Sequence, residues 1–587
     1  MIKTHCVAQN RLAVASLLVV IAMAKGKGKR RNTDLQHKRH VRAKEQAQGQ
    51  GDVRGRSPDQ SAGHLGRSKG VSKHKTEHKA KVKKRNKFTK RFRVLPSNVP
   101  VLLSIVSRMM SCLSKGEKDK LSLHKQFMNG RLHTSSSCSG SGLPRVVEHY
   151  IGQKMKVKIS HVFACEKEPW KQRWNHKVVG KFSGDSEAQH TPCMHPDIGG
   201  LCGTKCACVE HDGQCHVRKS RVHSSGFSCK DMSKMHKDRG GAGRNCLANQ
   251  TGTSGNTLAG LVSYCKSHRP EIVVLENVDD LLSATSPNYT YLMKEFRALG
   301  YVGDAADVMS TQYYCPQRRR RAYLIFYLCP AASDPDTIVA EHLNPAIALA
   351  KRLGSSLEEN ADGSKTYVGP PLGRFFLSDK HPYLQNEFKR LGEHREKSGD
   401  SLAEARKKKG EAGVEDDPWK ETNRNTLAKM GVAVSECVVP LSERGTVGYN
   451  LLTSREKMVL GHALLACPQL HNADIYQSLG REFLSDVPVL STIVPGSMKW
   501  IRPLKRLLLG YEALKVQGMP DDLMKLAVQE NYSDNSMMDL AGNSFTGMVY
   551  CAFLISALVH APLPTSGDKA GQSTNEIAAS VLDICSL

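Results

Sequence analysis

Three short segments, in a fixed order along the chain, constrain this sequence more than any other feature. The segment GFSC at 226–229 places a thiol in a turn flanked by glycine and serine, and ENV at 276–278 places a carboxylate directly after four apolar residues. The segment QRRRR at 317–321 places several guanidinium groups before another strand-like run. A nucleophile, an acid and a group of cations, two of them beside strands, indicate covalent catalysis.

Each of these residues also has a purely structural interpretation. Most cysteines are small buried hydrophobes, and Cys229 could be one of them. Glu276 could be a solvated carboxylate at a strand end, and Arg319 and Arg321 could belong to a solvated basic face. Because all four occur together in this order, we predict that Cys229, Glu276, Arg319 and Arg321 are catalytic.

The charge of the chain is strongly uneven. Its 587 residues carry a formal net charge of +29, and about two-thirds of the excess lies in residues 25–94. That stretch has few apolar residues, so we expect a disordered basic arm over 25–95. Such an arm suits a polyphosphate partner, because each neutralised phosphate releases counterions. DNA is the expected partner, and a merely solvated tail is the alternative.

Cysteine usage and the N-terminus bear on the compartment. The eighteen cysteines show no spacing typical of secreted disulfide frameworks, which favours reduced thiols inside the cell. Residues 12–24 are apolar and resemble a short secretory signal, but the run is too short for a confident membrane span. We expect no stable membrane insertion. The basic clusters favour the nucleus, and an organelle reached through the N-terminal segment is the alternative.

Strand-like and helix-like segments alternate from about residue 131 to residue 329, which predicts an α/β fold with a parallel sheet. Ligands of such sheets bind at the carboxyl ends of strands, where Cys229 and Glu276 are expected. The chain divides into an apolar N-terminal segment (1–24), the basic arm (25–95), an uncertain connector (96–130), a first catalytic part (131–329), a region of irregular pattern (330–490), a late catalytic part (491–560) and a flexible tail (561–587).

A second group of residues suggests a nucleotide cofactor. The turn CSGSG at 138–142 would let a ligand approach the backbone, and Glu166 ends a strand-like run, where a carboxylate can bind a ribose diol. Asp197 is a further candidate, with a plain turn as an equally good interpretation. The predicted cofactor-binding residues in this part of the chain are Cys138, Ser139, Gly140, Gly142, Glu166 and Asp197.

Five cysteines between residues 193 and 216, together with His211 and His216, invite a metal interpretation. Their spacing matches no usual paired-ligand pattern, so a reduced cysteine cluster in loops is favoured and no metal ligand is assigned. The residues are Cys193, Cys202, Cys206, Cys208, His211, Cys215 and His216.

In this order the motifs resemble those of the DNA cytosine-5 methyltransferase family, over roughly residues 131–329 plus 497–560. Three features depart from the family pattern: Ser228 replaces the usual proline, Cys138 stands where an aromatic is frequent, and the segment HTSSS before the glycine turn is rich in serine. The matching residues are CSGSG at 138–142, Glu166, GFSCKDMS around Cys229, ENV at 276–278, Gln317 with Arg319 and Arg321, QGMP at 517–520, and GNS at 542–544.

The resemblance implies a Rossmann-like fold dependent on S-adenosyl-L-methionine and methyl transfer to C5 of cytosine in DNA. It implies that Cys229 adds to C6 of a flipped-out base while Glu276 contacts the ring, and that Arg319 and Arg321 hold the base and a phosphate. It adds Asn543 to the cofactor residues and assigns 330–490 to target recognition. Substrate contacts are implied for Gln317 and Asn277.

Two other functions stay open from the sequence. A transfer RNA cytosine-5 methyltransferase would share the same catalytic residues, so RNA is the second candidate partner. An inactive homologue that binds chromatin is the other alternative, favoured by Ser228 and by the irregular first motif.

Overall fold

The predicted catalytic and cofactor-binding residues up to Arg321 lie in the strands of a seven-stranded sheet or in the segments next to them. The computed structural model describes residues 99–127, 130–182, 192–211, 213–233, 245–283, 287–330, 333–354, 356–359, 365–394, 418–476, 479 and 484–562. The predicted N-terminal segment, the basic arm and nearly all of the predicted tail therefore lie outside the described residues.

The strands fall into one large sheet and several small ones. The large sheet has the order β3-β2-β1-β6-β7-β10-β8. The strands are β1 (Arg131–Ser137), β2 (Lys158–Cys165), β3 (Cys193–His195), β4 (Lys205–Cys208), β5 (Gly213–His216), β6 (Val222–Ser225), β7 (Ile272–Val278), β8 (Tyr301–Met309), β9 (Gln317–Arg318), β10 (Arg320–Leu328), β11 (Leu357–Glu359), β12 (Lys365–Tyr367), β13 (Asn472–Asp474), β14 (Leu484–Ser485), β15 (Leu490–Ser491), β16 (Lys499–Ile501) and β17 (Arg506–Leu507).

Strand direction and register explain where the site forms. Strands β3, β2, β1, β6 and β7 are parallel, and β10 lies antiparallel between β7 and β8. The register places Cys165, Ser137, Ser225 and Leu275 in one row across four neighbouring strands. The residues that follow this row share one edge of the sheet. The order also reverses between β1 and β6, which is where ligands bind in open α/β sheets.

Helices cover both faces of this sheet, as expected for buried parallel strands. Strand β7 is buried along its whole length, and so are all residues of helix α15. The main helices are α1 (Val101–Ser111), α2 (Lys115–Phe127), α3 (Leu143–Met155), α4 (Pro169–Phe182), α5 (Gly252–His268), α6 (Pro287–Ala298), α7 (Pro335–Ile338), α8 (Asn344–Leu353), α9 (Pro418–Lys429), α10 (Val447–Asn450), α11 (Ser454–Ala466), α12 (Gly510–Gln517), α13 (Met524–Gln529), α14 (Asp534–Gly542) and α15 (Gly547–Val559).

One described stretch, Asp534–Val559, has the length and apolar composition of a membrane-crossing helix. The structure divides it into helices α14 and α15, and 94% of its most apolar 18-residue window is buried inside the protein. A helix in the core of a protein meets the same length and composition criteria.

The serine-rich segment before the glycine turn forms the central strand β1. Its hydroxyl groups bond to buried polar side chains, so the strand is polar without leaving those groups unpaired. Ser135 Oγ and Ser137 Oγ lie 2.8 and 3.0 Å from the two ring nitrogens of His223. Ser136 Oγ lies 3.1 Å from His161 Nε2. Hydrogen bonding therefore replaces apolar packing at the middle of this sheet.

The predicted connector and the first part of the predicted target-recognition region both pack into the main core. The connector 96–130 contributes helices α1 and α2, and Leu102 and Met109 of α1 are buried in the largest apolar cluster. Helix α8 and residues 382–394, which were assigned to target recognition, also place side chains such as Ala346 and Leu384 in that cluster. These helices therefore have their apolar faces on the same core as the first catalytic part, although they lie beyond the predicted boundary at residue 330.

A smaller subdomain follows, with an apolar cluster of its own. It combines helices α9 and α11 with the sheet β14-β13-β16-β17, and its core includes Leu427, Leu460 and Trp500. Because β16 pairs with β13 and β17 pairs with β16, the subdomain continues to Leu507 and crosses the predicted boundary at 490.

We expect the buried His223 to make stability depend on pH. Burial and the charges of His161 and His268 lower its pKa to about 3. In the unfolded chain this imidazole binds a proton near pH 6.5, whereas in the folded chain it stays neutral down to about pH 3. The free energy of unfolding should therefore fall as the pH drops from about 6.5 toward 3. The slope due to one such group is about 1.4 kcal/mol per pH unit. Denaturant titrations between pH 7 and pH 5 measure it.

Two variants test whether His223 causes this pH dependence of the free energy of unfolding. His223→Gln should be less stable at pH 7 yet lose less stability on acidification than the wild-type chain. His216→Gln, at an exposed position, is the matched control and should keep the wild-type slope. An unchanged slope in the His223 variant would refute the assignment.

Candidate active site

The turn that carries the predicted nucleophile follows β6 at the shared edge of the sheet. A Cβ atom at Gly226 would lie 3.1 Å from the Phe545 ring and 3.6 Å from Glu276 Oε2, so the absence of a side chain permits this close approach. The backbone N–H of Ser228 donates a hydrogen bond to Thr257 Oγ1 at 3.1 Å. Proline has no N–H to donate. The serine at this position therefore anchors the turn to helix α5 in a way that the family's usual proline cannot.

The same turn is fixed to the end of β7. The side chain of Asn277 donates a hydrogen bond to the Phe227 carbonyl at 2.9 Å, and this amide is 1% exposed. Glu276, the preceding residue, is 8% exposed and points toward the turn. The hydrogen bond between Asn277 and Phe227 therefore links the segment that carries Cys229 to the segment that carries Glu276, at the ends of the adjacent strands β6 and β7.

Two arginines face the Glu276 carboxylate. Arg321 Nε lies 3.1 Å from Glu276 Oε1, and Arg319 Nη2 lies 3.7 Å from the same oxygen. Burial raises the pKa of the Cys229 thiol, and the positive charges of Arg321 and Arg319 oppose that rise, while Glu276 adds to it. All four predicted catalytic side chains are therefore within electrostatic reach of one another.

The surroundings of Arg319 indicate a positioning role. Its guanidinium is 3% exposed and donates to the carbonyls of Ile493, Gly542 and Ser544 at 3.1, 3.0 and 2.8 Å. Burial lowers the pKa of Arg319 to about 10. Three of its hydrogen bonds thus go to the late catalytic part, whereas Arg321 is the arginine left half-buried beside the carboxylate.

Gln317 and Asn277, for which substrate contacts were implied, lie in the interior. Gln317 is 0% exposed and accepts a hydrogen bond from Gln517 Nε2 at 3.2 Å. Asn277 is committed to the Phe227 carbonyl. Both amides therefore join segments of the chain, and the substrate contacts implied for them stay predictions.

The predicted cofactor residues meet at the neighbouring strand ends. Gly140 and Gly142 have φ angles of +52° and +72°, values that favour glycine. The Gly140 N–H donates to Glu166 Oε2 at 3.0 Å, and the Lys167 N–H donates to Glu166 Oε1 at 2.9 Å. Burial raises the pKa of Glu166. Ser139 is 2% exposed, with its hydroxyl 2.7 Å from Ser136 Oγ, so it supports the turn from inside.

Three further residues complete this edge. Asn543 is exposed, and its carbonyl would lie 3.1 Å from a Cβ atom at Gly140. Asp197 is exposed after β3 and accepts the Gly199 N–H at 3.1 Å, so the turn interpretation holds for at least one of its oxygens. Cys138 has a φ of +51°, and burial raises the pKa of its thiol to about 12.

These residues fit S-adenosylmethionine by their chemistry. A carboxylate offers about four lone-pair sites, so Glu166 can accept ribose hydroxyls in addition to the backbone bonds it already receives. A side chain at Gly140 would press against Asn543, and glycine keeps that approach open. The glycine turn, the acidic strand end and Asn543 would hold the nucleoside at the point where the strand order reverses.

The comparison with known families agrees with this geometry. The sequence profile described as C-5 cytosine-specific DNA methylase matches residues 222–554, more than half of the chain. The chain belongs to this family. The match begins at β6, and strands β1 to β3, which carry the glycine turn and Glu166, complete the same sheet upstream. The resemblance noted in the sequence and the Rossmann-like methyltransferase fold are both confirmed.

Two curated relatives are both described as "DNA (cytosine-5-)-methyltransferase DMT5". The one from Cryptococcus neoformans var. grubii is 24% identical over 488 residues, which is 78% of this chain and 18% of the relative. The one from Verticillium dahliae is 22% identical over 332 residues, 52% of this chain and 12% of the relative. The chain thus spans less than a fifth of the length of either. The solved S. pombe Dnmt2 methyltransferase covers 73% of this chain and 98% of its own, at 12% identity and a TM-score of 0.34.

Several residues that shape the site were missed by sequence reasoning. Thr257 holds the nucleophile turn, and Asn175 Nδ2 donates to the Gly140 carbonyl at 2.7 Å. Ser141 Oγ lies 2.6 Å from Ser544 Oγ, which joins the two catalytic parts. Ser544 lies in a motif that was recognised, so its partner could have been sought. Thr257 and Asn175 occur in helices with no local pattern to mark them.

Arg319→Met should destabilise the folded protein strongly. The variant leaves three buried carbonyls without their donor and removes a charge beside Glu276, which should cost about 3–5 kcal/mol. Arg320→Met is the matched control, because that side chain is 59% exposed and pairs with Asp307 at the surface. Its expected cost is less than about 1 kcal/mol. Denaturant unfolding of both variants gives the comparison, and equal losses would contradict the positioning role.

Proposed function

We propose that this chain is the catalytic portion of a DNA cytosine-5 methyltransferase that works through a covalent adduct on Cys229. The observation that carries the proposal is the convergence of Cys229, Glu276 and Arg321 at one edge of the sheet. Family membership supplies the reaction class, and the names of the two curated relatives support DNA as the substrate.

The chain's own residues account for the chemistry. The Cys229 thiolate forms a bond to C6 of cytosine, and the ring electrons move toward C5 and N3. The Glu276 carboxyl group, carrying a proton, donates it toward N3 and accepts a hydrogen bond from the exocyclic amine, which eases that build-up of charge. S-adenosylmethionine, when bound, supplies an electrophilic methyl group. Once C5 carries the methyl group, loss of its proton to a base returns the electron pair, breaks the S–C6 bond and frees the thiol.

Glu276 has capacity for such a contact. Among the described residues its buried Oε1 makes no hydrogen bond of normal geometry, although Arg321 lies 3.1 Å away as an ion pair. Arg321 orients the carboxyl group, and its half-buried guanidinium would also face a phosphate near the base. Arg319 acts indirectly, by holding the late catalytic part against the site.

The target base would have to leave the duplex to reach this thiol. We assign base reading to the subdomain that begins at helix α9 and ends at Leu507. It is joined to the active site by the parallel pairing of β15 with β9, the strand that directly precedes Arg319. The net charge of +29 supports DNA as a partner and the nucleus as the compartment.

Trapping should test nucleophile and substrate together. Duplex DNA containing 5-fluorocytosine, incubated with the full chain and S-adenosylmethionine, should form an adduct that survives denaturation, because fluorine at C5 cannot leave as a proton. Peptide mass spectrometry should find the base on Cys229. Cys229→Ser should form no adduct and retain cofactor binding.

The controls separate the competing functions. Cys329→Ser alters another half-buried cysteine, at the far end of β10 from Arg321, and should trap as well as the wild-type chain. An adduct with 5-fluorocytosine transfer RNA and none with DNA would replace DNA by RNA as the substrate. Cofactor binding with no adduct on either nucleic acid would point to an inactive homologue.

Removing Arg321 should move the titration of Cys229 to higher pH. Burial already raises the pKa of this thiol, and Arg321 is the largest opposing influence. Arg321→Met should therefore slow iodoacetamide alkylation of Cys229 at pH 7, by about tenfold for each pKa unit gained, and displace the alkaline rise in rate. Arg321→Lys should restore part of the rate, and Arg320→Met should leave it near the wild-type value. A pH profile unchanged in Arg321→Met would rule out this influence.

A further inference from the structure

A compact group of cysteines and one histidine lies at the edge of the large sheet, beyond the active-site residues. Cys193 begins the edge strand β3, Cys208 ends β4, His211 lies in the following turn, and Cys215 lies in β5. One ligand atom from each lies within 4.8 Å of those of the other three. The sequence spacing favoured a metal-free cluster. We propose instead that these four residues form a structural zinc site.

The distances from His211 Nδ1 to the three cysteine sulfurs are those expected of ligands around one metal ion. Its Nδ1 lies 3.1 Å from Cys215 Sγ, 3.3 Å from Cys208 Sγ and 3.7 Å from Cys193 Sγ. A neutral ring nitrogen takes part in one good hydrogen bond, so three sulfurs around one nitrogen exceed what hydrogen bonding explains. Zinc bonds of about 2.3 Å to sulfur and 2.0–2.1 Å to nitrogen give tetrahedral edges of roughly 3.5–3.8 Å. The cluster matches that scale.

The donor set selects the metal. Three thiolates and one imidazole are a usual tetrahedral zinc set, and a site with four protein ligands has no open position for chemistry. The role is therefore structural. All sixteen cysteines of the described chain are free, so within it no disulfide competes for these sulfurs.

The other residues of the segment separate cleanly from the four ligands. Cys202 Sγ donates to the Gly199 carbonyl at 3.2 Å, within the turn after β3. Cys206 lies in β4, and its Sγ is 4.0 Å from the Asp197 carbonyl of the same turn. His216 is exposed beside Cys215. The ligand spacing is Cys-x14-Cys-x2-His-x3-Cys. The β4–β5 hairpin supplies three closely spaced ligands, and Cys193 lies 15 residues before the first of them.

The backbone holds the hairpin where the ligands can meet. The Val209 N–H donates to the Met194 carbonyl at 2.8 Å, and His195 Nδ1 lies 2.8 Å from the Ala207 carbonyl. Two such contacts between the hairpin and β3 are a small number for a segment that covers the edge strand of a sheet. A zinc ion would bond the hairpin to β3 itself and so stabilise the strand that ends just before Asp197.

Metal analysis of the full chain tests the site directly. Protein purified with a reducing agent and zinc, then desalted, should contain about one zinc per chain. Its X-ray absorption spectrum should show three sulfur neighbours and one nitrogen neighbour, and cobalt substitution should give tetrahedral ligand-field and thiolate charge-transfer bands. These measurements use the wild-type protein, so they do not depend on a variant that folds.

Matched variants identify the ligands. Cys208→Ala and His211→Ala should lower the zinc content at least fivefold, whereas Cys202→Ser and His216→Ala, from the same segment, should leave it unchanged. Removing the zinc by chelation should lower the midpoint of thermal unfolding. The proposal is overturned if the wild-type protein lacks stoichiometric zinc or if a disulfide joins two of the four residues. It is also overturned if the control variants lose as much zinc as the ligand variants, or if zinc removal leaves the unfolding midpoint unchanged. None of these outcomes bears on the methyl-transfer proposal.

Discussion

The buried guanidinium of Arg319 is the interaction on which the arrangement of the site depends. A charged group at 3% exposure is costly unless its donors are used, and three of its bonds end on carbonyls from a segment more than 170 residues later in the chain. The same group lies 3.7 Å from Glu276. It therefore couples the placement of residues 493–544 to that of the Glu276 carboxylate. Ser141 with Ser544 provides a second such link on the cofactor side.

The division of labour between the two arginines follows from their position relative to strand β10. Arg319 precedes the strand and turns inward, toward the late catalytic part. Arg321, within the strand, stays beside the carboxylate and the thiol. The sequence motif makes the two residues look equivalent. Only their burial and their partners show that Arg319 joins distant segments of the chain, whereas Arg321 stays beside the carboxylate.

The sequence predicted the sheet and the edge on which the site forms, because apolar runs such as β7 end in the residues that matter. It could not predict what depends on long-range packing. Helix α8 has an apolar face that would suit any core, and only the fold shows which core receives it. Gln317 reads as a polar residue available to a ligand, yet it is buried. The serines of β1 look unfavourable for a strand until their partners His223 and His161 are known.

The position of helix α15 in the sequence affects how this protein folds during its synthesis. It is wholly buried, and its Tyr550 hydroxyl lies 2.5 Å from Ser224 Oγ and 3.3 Å from Glu148 Oε1, both in the first half of the domain. A nascent chain therefore exposes that face of its sheet until translation has passed residue 559. Sheet surfaces left open during synthesis attract other chains. Expression of this domain should accordingly benefit from chaperones that hold an incomplete polypeptide until its last core helix emerges.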